Sequence, residues 1–140
     1  MIILKRTQYE EILHHALIAA PNEACGLLGG RIEGEQKIVE RVYPLTNLDN
    51  SPEHFTMDTK EQFSAVKDMR SNGWVVLGNF HSHPESPSRP SEEDKRLAFD
   101  VEASYLILSL QEQDQAILKS FRIQKHVVSE ERITIVEGAE

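Results

Sequence analysis

Several features that mark specialised proteins are scarce in this sequence of 140 residues. The single cysteine, Cys25, excludes an internal disulfide and indicates a reducing compartment, so we expect a cytoplasmic protein. The longest apolar runs, such as residues 74–77, are far shorter than the ~20 residues that cross a bilayer. The first residues place apolar before basic side chains, which is the wrong order for a signal peptide. We therefore expect no membrane partner.

Basic residues are also in the minority, with 15 Lys and Arg against 23 Asp and Glu and a net charge of −8. This acidic balance opposes a phosphate backbone and the basic residues are scattered, so we expect no nucleic-acid partner. Hydrophobic residues make up 39% and charged residues 27% of the chain, which is typical of a soluble globular protein. The length, without repeats or Gly/Ser linkers, predicts one domain over residues 1–140.

Apolar residues recur with both the helical and the strand period, which predicts an α/β protein with a mixed central sheet and about three helices. Capping patterns predict helix starts at Thr7, Asp58 and Ser91. The predicted strands are 2–4, 23–30, 37–43, 74–80, 104–110, 116–123 and 127–136. The apolar segment 74–80 predicts a central strand buried on both faces. Proline and polar residues predict loops at 44–55 and 81–90 and a tight turn at 112–114.

The most informative segment is His81-Ser82-His83-Pro84, in which His83 is followed, after seven intervening residues, by Ser91-Glu92-Glu93-Asp94. Because side chains alternate in an extended segment, His81 and His83 project to the same side. Both lie where a buried strand ends, which is the usual place for ligands on open α/β sheets. A proline-rich loop then turns the chain back, so that Asp94, in the first turn of the next helix, can reach both imidazoles.

Two neutral imidazoles and one carboxylate are a common ligand set for catalytic zinc, and they leave a fourth position for water. We therefore predict that His81, His83 and Asp94 bind one Zn²⁺ ion per chain. Zinc lowers the pKa of a bound water to about 7, so a hydrolase also needs a group that accepts its proton. The sequence does not distinguish zinc from another divalent metal, although this ligand set suits zinc.

Glu23 is our candidate for that general base, because a carboxylate beside the apolar run 24–28 has a raised pKa. On the residues alone, a plain surface residue before a strand is the more common interpretation of Glu23. Ser91 has a hydroxyl that can donate to a developing oxyanion, and it is a good helix N-cap regardless of catalysis.

The whole pattern arises by chance in roughly one sequence in a thousand of this composition, whereas an isolated H-x-H is weak. At these residues the sequence resembles the JAMM (MPN+) zinc metalloprotease family. The signature of that family is an upstream Glu, then His-x-His-Pro, then Ser-x-x-Asp at the spacing found here. The string 23–29, Glu-Ala-Cys-Gly-Leu-Leu-Gly, also resembles the first motif of the compact prokaryotic members.

The resemblance implies a cytidine-deaminase-like (JAB/MPN) fold and hydrolysis of a peptide or isopeptide bond at the Gly-Gly C-terminus of a ubiquitin-like or sulphur-carrier protein. It also implies that His81, His83 and Asp94 bind zinc, that Glu23 is the acid/base and that Ser91 stabilises the tetrahedral intermediate. The segment between Asp94 and the strand at 104–110 is too short for the insertion that grips polyubiquitin. The chain therefore resembles the short prokaryotic members.

Two other functions compete with the hydrolase. The first is a catalytically silent scaffold of the MPN− type, which lacks the ligand residues that this chain retains. The second is nucleobase deamination on a similar fold, but that signature requires H-x-E and a later P-C-x-x-C. A chain with one cysteine does not contain it.

The roles of a few further residues stay open at this point. Cys25 is more often a small buried hydrophobe than a nucleophile or ligand. The loop at 44–55 is our candidate for a flap over an extended substrate tail, which we expect beside an exposed strand edge. His54 lies in that loop and is more often structural or idle than a substrate contact. We expect His14 and His15 to be solvated on the first helix. The oligomeric state is not predicted.

Overall fold

The chain alternates strands and helices at first and ends in four strands. The computed structural model describes residues 1–112 and 114–137. Within them the elements are β1 (Ile2–Lys5), α1 (Arg6–Ala19), β2 (Cys25–Glu33), β3 (Gln36–Leu45), α2 (Thr59–Ser71), β4 (Val75–His83), α3 (Glu92–Leu97), β5 (Ser104–Ser109), β6 (Ile117–Gln124), β7 (Val127–Glu131) and β8 (Ile133–Val136). The predicted α/β class, with one mixed sheet and three helices, is confirmed for these residues. The turn predicted at 112–114 includes Gln113, which lies outside the described residues.

The described strands belong to one sheet with the order β7-β6-β5-β4-β2-β3-β1-β8. The central strand β4 pairs with β2 in antiparallel and with β5 in parallel orientation. The outermost strands, β7 and β8, are neighbours in the chain and are separated only by Arg132. The backbone N–H of Ile2 in β1 donates to the Arg132 carbonyl at 2.9 Å. The sheet therefore curls until its two edges meet at this residue.

The single strand predicted at 127–136 is wrong, because the chain changes partner in the middle of that segment. The part before Arg132 pairs with β6, and the part after it pairs with β1. Glu131, the last residue of β7, is buried and accepts hydrogen bonds from Ser104 and Ser120. A local pattern of apolar and polar residues does not reveal a change of strand partner.

The first helix begins earlier than predicted. The Lys5 backbone N–H donates to Gln8 Oε1 at 2.8 Å, so Lys5 is the N-cap and the cap predicted at Thr7 is wrong. The Gln8 amide also donates to the Val39 carbonyl at 3.0 Å, which fixes α1 on β3. Because β1 leads directly into α1, the end of the strand decides where the helix begins. The helix caps predicted at Asp58 and Ser91 are confirmed.

The central strand β4 differs from its prediction at both ends. Val75 and Val76 are about half exposed, so the expected burial on both faces is wrong at the start of the strand. At the other end the strand continues through His81 and His83, where a loop was predicted. The pairing with β2 extends to His81 and the pairing with β5 extends to His83, which holds both histidines in an extended segment. His81 is therefore paired on both sides of the strand, and His83 is paired on the β5 side.

The largest group of buried apolar side chains lies between α1 and the sheet, and α2 covers a second group. Gly26, one residue into β2, has no space for a side chain, because a Cβ there would lie 2.3 Å from the ring of Phe80. This close contact packs β2 tightly against β4, just before the two histidines. Across the described residues, no helix is long and apolar enough to cross a membrane.

Candidate metal centre and active site

Three side chains from two elements converge at the carboxyl end of β4. His81 and His83 are two residues apart at the end of the strand, so their imidazoles lie on the same side. Their Nε2 atoms are 3.1 Å apart, and each is 3.2 Å from Oδ2 of Asp94 in the first turn of α3. Both histidines are buried and Asp94 is half-buried. The structure thus brings together the three residues that the sequence predicts as metal ligands.

The N-terminal cap of α3 orients the carboxylate of Asp94. The Asp94 backbone N–H donates to Ser91 Oγ at 3.0 Å, and the Ser91 backbone N–H donates to Asp94 Oδ2 at 2.9 Å. This reciprocal pair is a capping box, which fixes the first turn of a helix. The oxygen that accepts from Ser91 also faces both imidazoles. Ser91 therefore positions the carboxylate in addition to capping the helix.

The three donor atoms have the spacing that a small divalent cation requires. A tetrahedron with metal–ligand bonds of about 2.0–2.1 Å has edges of about 3.3–3.4 Å. The observed separations of 3.1 and 3.2 Å are close to this value. Two imidazole nitrogens and one carboxylate oxygen are a donor set that suits zinc. The residues present therefore fit a zinc ion.

The surroundings of each imidazole determine which of its two nitrogens faces the metal position. His83 Nδ1 lies 2.9 Å from the Pro87 carbonyl, so the Nδ1–H donates there and Nε2 presents its lone pair to the metal position. His81 Nδ1 is buried and has no hydrogen-bond partner among the described residues. The ring of Phe55 stacks on His81 with 4.7 Å between the ring centroids. The loop before α2, which carries Phe55, and the loop after β4, which carries Pro87, thus complete the site.

Burial and charge act in opposite directions on the candidate ligands. Burial alone raises the pKa of Asp94, but hydrogen bonds from His81 and His83 outweigh it and hold that pKa well below its ordinary value. Burial alone lowers the pKa of His83, but the hydrogen bond and the charge of Asp94 raise it above its ordinary value. Asp94 is therefore ionised at neutral pH, as a metal ligand must be.

Glu23 lies two residues before β2 and is 5% exposed. Burial raises the pKa of Glu23 to about 8, with smaller opposing contributions from the charges of His83 and Asp94. The next residue, Ala24, donates its N–H to Oγ of Ser82, which lies between the two histidines. The raised pKa agrees with the expectation from the sequence. A carboxyl that titrates near neutral pH can both accept a proton and return it.

A loop that we call the flap loop, residues 46–57, borders the site. His54 Nδ1 lies 2.6 Å from Glu93 Oε1, next to Asp94 in α3, and the following residue, Phe55, stacks on His81. The predicted flap began at residue 44, but residues 44–45 belong to β3. His54, whose role the sequence left open, thus joins the flap loop to α3 through one exposed contact.

Cys25 and His15 hold the strands next to the site. Cys25 is fully buried, burial raises its pKa to about 12, and it is not among the described residues that converge as metal ligands. His15 Nε2 lies 3.1 Å from the carbonyls of both Cys25 and Leu45, so its predicted solvation is wrong. Because α1 packs across the sheet, a ring on its polar side reaches the ends of β2 and β3. His14 is exposed, as predicted.

Sequence reasoning missed two residues that hold the backbone around Glu23. Asn47 Nδ2 donates to the Glu23 carbonyl at 3.0 Å, and Ser82 Oγ accepts from the Ala24 N–H at 2.8 Å. The Asn-x-Asp pattern at 47–49 is a local signal for a side chain that folds its own loop. Ser82 gives no such signal, because its partner lies 58 residues away in the chain.

Comparison with known proteins places this site in a family. The profile of a family described as prokaryotic homologs of the JAB domain matches residues 5–124. The CysO-cysteine peptidase of Mycobacterium tuberculosis is 31% identical over 137 residues, which cover 98% of this chain and 92% of that protein. The desampylase of Haloferax volcanii is 33% identical over 105 residues, covering 71% and 74% respectively. The solved structure of protein DSY2949 from Desulfitobacterium hafniense is 64% identical, with a TM-score of 0.92, and covers 100% of this chain and 96% of that chain.

The sheet topology and the complete H-x-H…S-x-x-D motif place the chain in the class of JAMM-type hydrolases. Within that class, the chain belongs to the prokaryotic homologs of the JAB domain. The resemblance to JAMM proteins and the JAB/MPN fold that it implied are therefore confirmed.

Proposed function

We propose that this chain is a zinc-dependent peptidase or isopeptidase that hydrolyses a bond at the Gly-Gly C-terminus of a ubiquitin-like or sulphur-carrier protein. The observation that carries the proposal is the convergence of His81, His83 and Asp94, next to which the buried Glu23 is held through the bond from the Ala24 N–H to Ser82 Oγ. The names of two relatives, a CysO-cysteine peptidase and a desampylase, support this substrate class.

Each residue of the site has a distinct role in this proposal. His81, His83 and Asp94 hold the zinc ion, which when bound acts as a Lewis acid and activates water. Glu23 accepts the proton of the attacking water and returns it to the leaving nitrogen, for which a pKa near neutral is suited. Ser91 accepts from the Asp94 N–H, which leaves its own hydrogen free to donate to the oxygen of the scissile carbonyl.

The part of β4 that leads to the histidines offers no free edge to the substrate tail. It is paired with β2 as far as His81 and with β5 as far as His83, so we do not expect strand addition along this part of β4. The two imidazoles are bordered instead by Phe55 of the flap loop and by Pro87 of the loop after β4. We place the tail between these loops, where residues without side chains, such as two glycines, pass most easily.

The connection after α3 favours small substrates. Only residues 98–103 lie between α3 and β5, so the chain has no long insertion there that would hold a distal ubiquitin. A compact carrier protein that presents its own flexible tail needs no such insertion. This argues for ubiquitin-like and sulphur-carrier proteins over polyubiquitin chains.

The test uses untagged protein and one Gly-Gly-ended carrier joined to a linear peptide, to a lysine side chain or to a single amino acid. We expect about one zinc per chain and cleavage of at least one adduct directly after the second glycine. Chelation should abolish cleavage and added zinc should restore it. If the zinc-loaded protein binds the carrier but cleaves none of the adducts, the chain is a protein-binding scaffold of the MPN type and the proposal is wrong.

A further inference from the structure

The peptide group between Glu23 and Ala24 is held by two side chains from distant parts of the chain. Asn47 of the flap loop donates to the carbonyl side of this group, and Ser82 accepts from its N–H side. The Ser82 backbone N–H also donates to the Ala24 carbonyl at 3.0 Å. Because a peptide group is planar, bonds on both of its sides fix the orientation of the plane. Since Ser82 lies between the two histidines, the plane is fixed relative to the candidate metal ligands.

We propose that Asn47 is a positioning residue for Glu23, an assignment that rests on the base role proposed above. Glu23 is buried, yet its carboxylate accepts no hydrogen bond from the described residues. The direction of the side chain therefore depends on the backbone that carries it. That backbone lies outside the strand ladder, because β2 begins only at Cys25.

The side chain of Asn47 uses its full hydrogen-bonding capacity. Oδ1 accepts from the N–H groups of Asp49 and Thr56 at 2.9 and 3.0 Å. Nδ2 donates to the carbonyls of Glu23 and His54, each at 3.0 Å. Four bonds are the capacity of an Asn amide. The oxygen therefore folds the flap loop, and one bond of the nitrogen ties this loop to Glu23.

The flap loop binds both backbone polar groups of Glu23. The Glu23 N–H donates to the Ser51 carbonyl at 2.8 Å, and the Glu23 carbonyl accepts from Asn47. The two limbs of the loop are joined by the bond from the Leu48 N–H to the Thr56 carbonyl at 2.9 Å. The candidate base is thus attached to the flap loop, and Asn47 is the side chain that connects the two. Misplacement of a reacting group by about 1 Å can cost about 10²-fold in rate.

Asn47→Asp is the sharpest variant, because it exchanges only the amide nitrogen for oxygen. It keeps both acceptor bonds that fold the loop and removes both donor bonds. Asn47→Ala removes the amide without adding a charge, so agreement between the two variants excludes a charge effect. We expect both zinc-loaded variants to lose roughly 10- to 100-fold in kcat. Zinc should stay at about one per chain in both variants, because no ligand is changed, and in Asn47→Asp, which keeps the bonds that fold the flap loop, the KM should stay within about twofold.

Thr56→Val is the matched control. It removes the bond from Thr56 Oγ1 to Asp49 Oδ2 at 2.8 Å, which lies within the flap loop and does not reach Glu23. We expect the wild-type kcat for this variant. Amide hydrogen exchange in the metal-free protein gives a readout that is independent of turnover. The amide protons of Glu23 and Ala24 should exchange faster in Asn47→Asp, and at the wild-type rate in Thr56→Val.

Two results overturn the inference. One is a wild-type kcat in both Asn47 variants, and the other is an equal loss in Thr56→Val, which would assign the effect to the loop as a whole. If the wild-type protein cleaves no adduct, the proposed function itself fails. Hydrogen exchange then still decides whether Asn47 holds the peptide group after Glu23.

Discussion

Two buried polar clusters lie at opposite ends of the central strands β4 and β5. One is the candidate metal centre with Glu23, at the carboxyl end of β4. At the other end, Lys37 Nζ donates to Ser104 Oγ at 2.7 Å and to two backbone carbonyls. Ser104 and Ser120 both donate to Glu131 Oε1, at 2.6 and 2.7 Å. We call these four residues, Lys37, Ser104, Ser120 and Glu131, the distal cluster.

The pKa of the buried carboxyl group is shifted in opposite directions in the two clusters. Burial opposes the ionisation of Glu131, but hydrogen bonds from Ser104 and Ser120 outweigh it and hold its pKa below the ordinary value. Glu23 is buried to a similar degree without such donors, and its pKa is raised to about 8. A fully paired cluster holds the sheet together, whereas a carboxyl without donors keeps the capacity to exchange a proton near neutral pH.

The largest expected effect comes from removing a candidate metal ligand. His83→Ala leaves two of the three donors, so zinc content should fall far below one per chain and cleavage should become undetectable. Glu131→Gln, in the distal cluster, should keep both at the wild-type level. Elemental analysis of untagged protein and a cleavage assay measure the two outcomes. Full zinc content in His83→Ala would contradict the assigned site.

Glu23→Gln separates proton transfer from metal binding. The amide has the same shape but accepts no proton, so kcat should fall by about 10²–10⁴-fold while zinc stays bound. Turnover at the wild-type rate on a matched substrate would show that another group is the base.

For the metal-free protein, Glu23→Gln should also change how the stability of the fold depends on pH. Folded Glu23 keeps its proton up to about pH 8, whereas its ordinary pKa is 4.5. The folded state therefore binds more protons in this window, and wild-type stability falls as the pH rises through it. Gln does not titrate, so Glu23→Gln should gain stability over the wild type from about pH 4.5 to about pH 8. Urea denaturation at several pH values measures the difference, and a constant difference would refute the raised pKa.

Glu131→Ala should destabilise the fold without affecting the chemistry. The substitution leaves the buried hydroxyls of Ser104 and Ser120 without their acceptor, which costs about 1–3 kcal/mol for each group. Since the pKa of Glu131 is lowered in the folded state, its contribution is fully present above the ordinary carboxyl pKa and is lost as the pH falls from there through the lower folded-state pKa. The pH dependence is thus opposite to that of Glu23. A tenfold loss of kcat in folded Glu131→Ala would show that the two clusters are not independent.

Ser91→Ala tests a residue that serves both the fold and the site. The loss of the hydroxyl donor should lower kcat by about 10²-fold, and the loss of the cap should cost about 1 kcal/mol. Ser91→Thr keeps the hydroxyl and the cap, so it should restore most of both. If Ser91→Ala changes stability alone, the serine acts only on the helix and on the orientation of Asp94.

The parts of the site that the sequence predicts are those that depend on local geometry. His81 and His83 follow from strand alternation, and Asp94 follows from its place in a capping box three residues after Ser91. Glu23 required the family motif, because no local pattern connects it with a histidine 58 residues further along the chain. A motif states which residues act together before any contact between them is known.

The parts that sequence reasoning missed depend on contacts between distant residues. Lys37 and Ser104 are 67 positions apart, and each alone is an ordinary surface residue type. The division of the segment 127–136 into β7 and β8 likewise depends on where the sheet closes. The burial of a lysine and a change of strand partner are properties of the assembled sheet. The periodicity of one segment does not predict them.

The smallest expected effect belongs to His54, at the edge of the site. Its contact with Glu93 is exposed, and exposed ion pairs contribute little to stability. His54→Ala should therefore leave zinc content and the denaturation midpoint unchanged and raise KM by about two- to threefold, because the flap loop loses its link to α3. Since salt screens exposed charges, the difference from the wild type should shrink at high ionic strength. A loss of kcat as large as that of Glu23→Gln would instead place His54 among the groups that transfer protons. The active site would then include part of the flap loop.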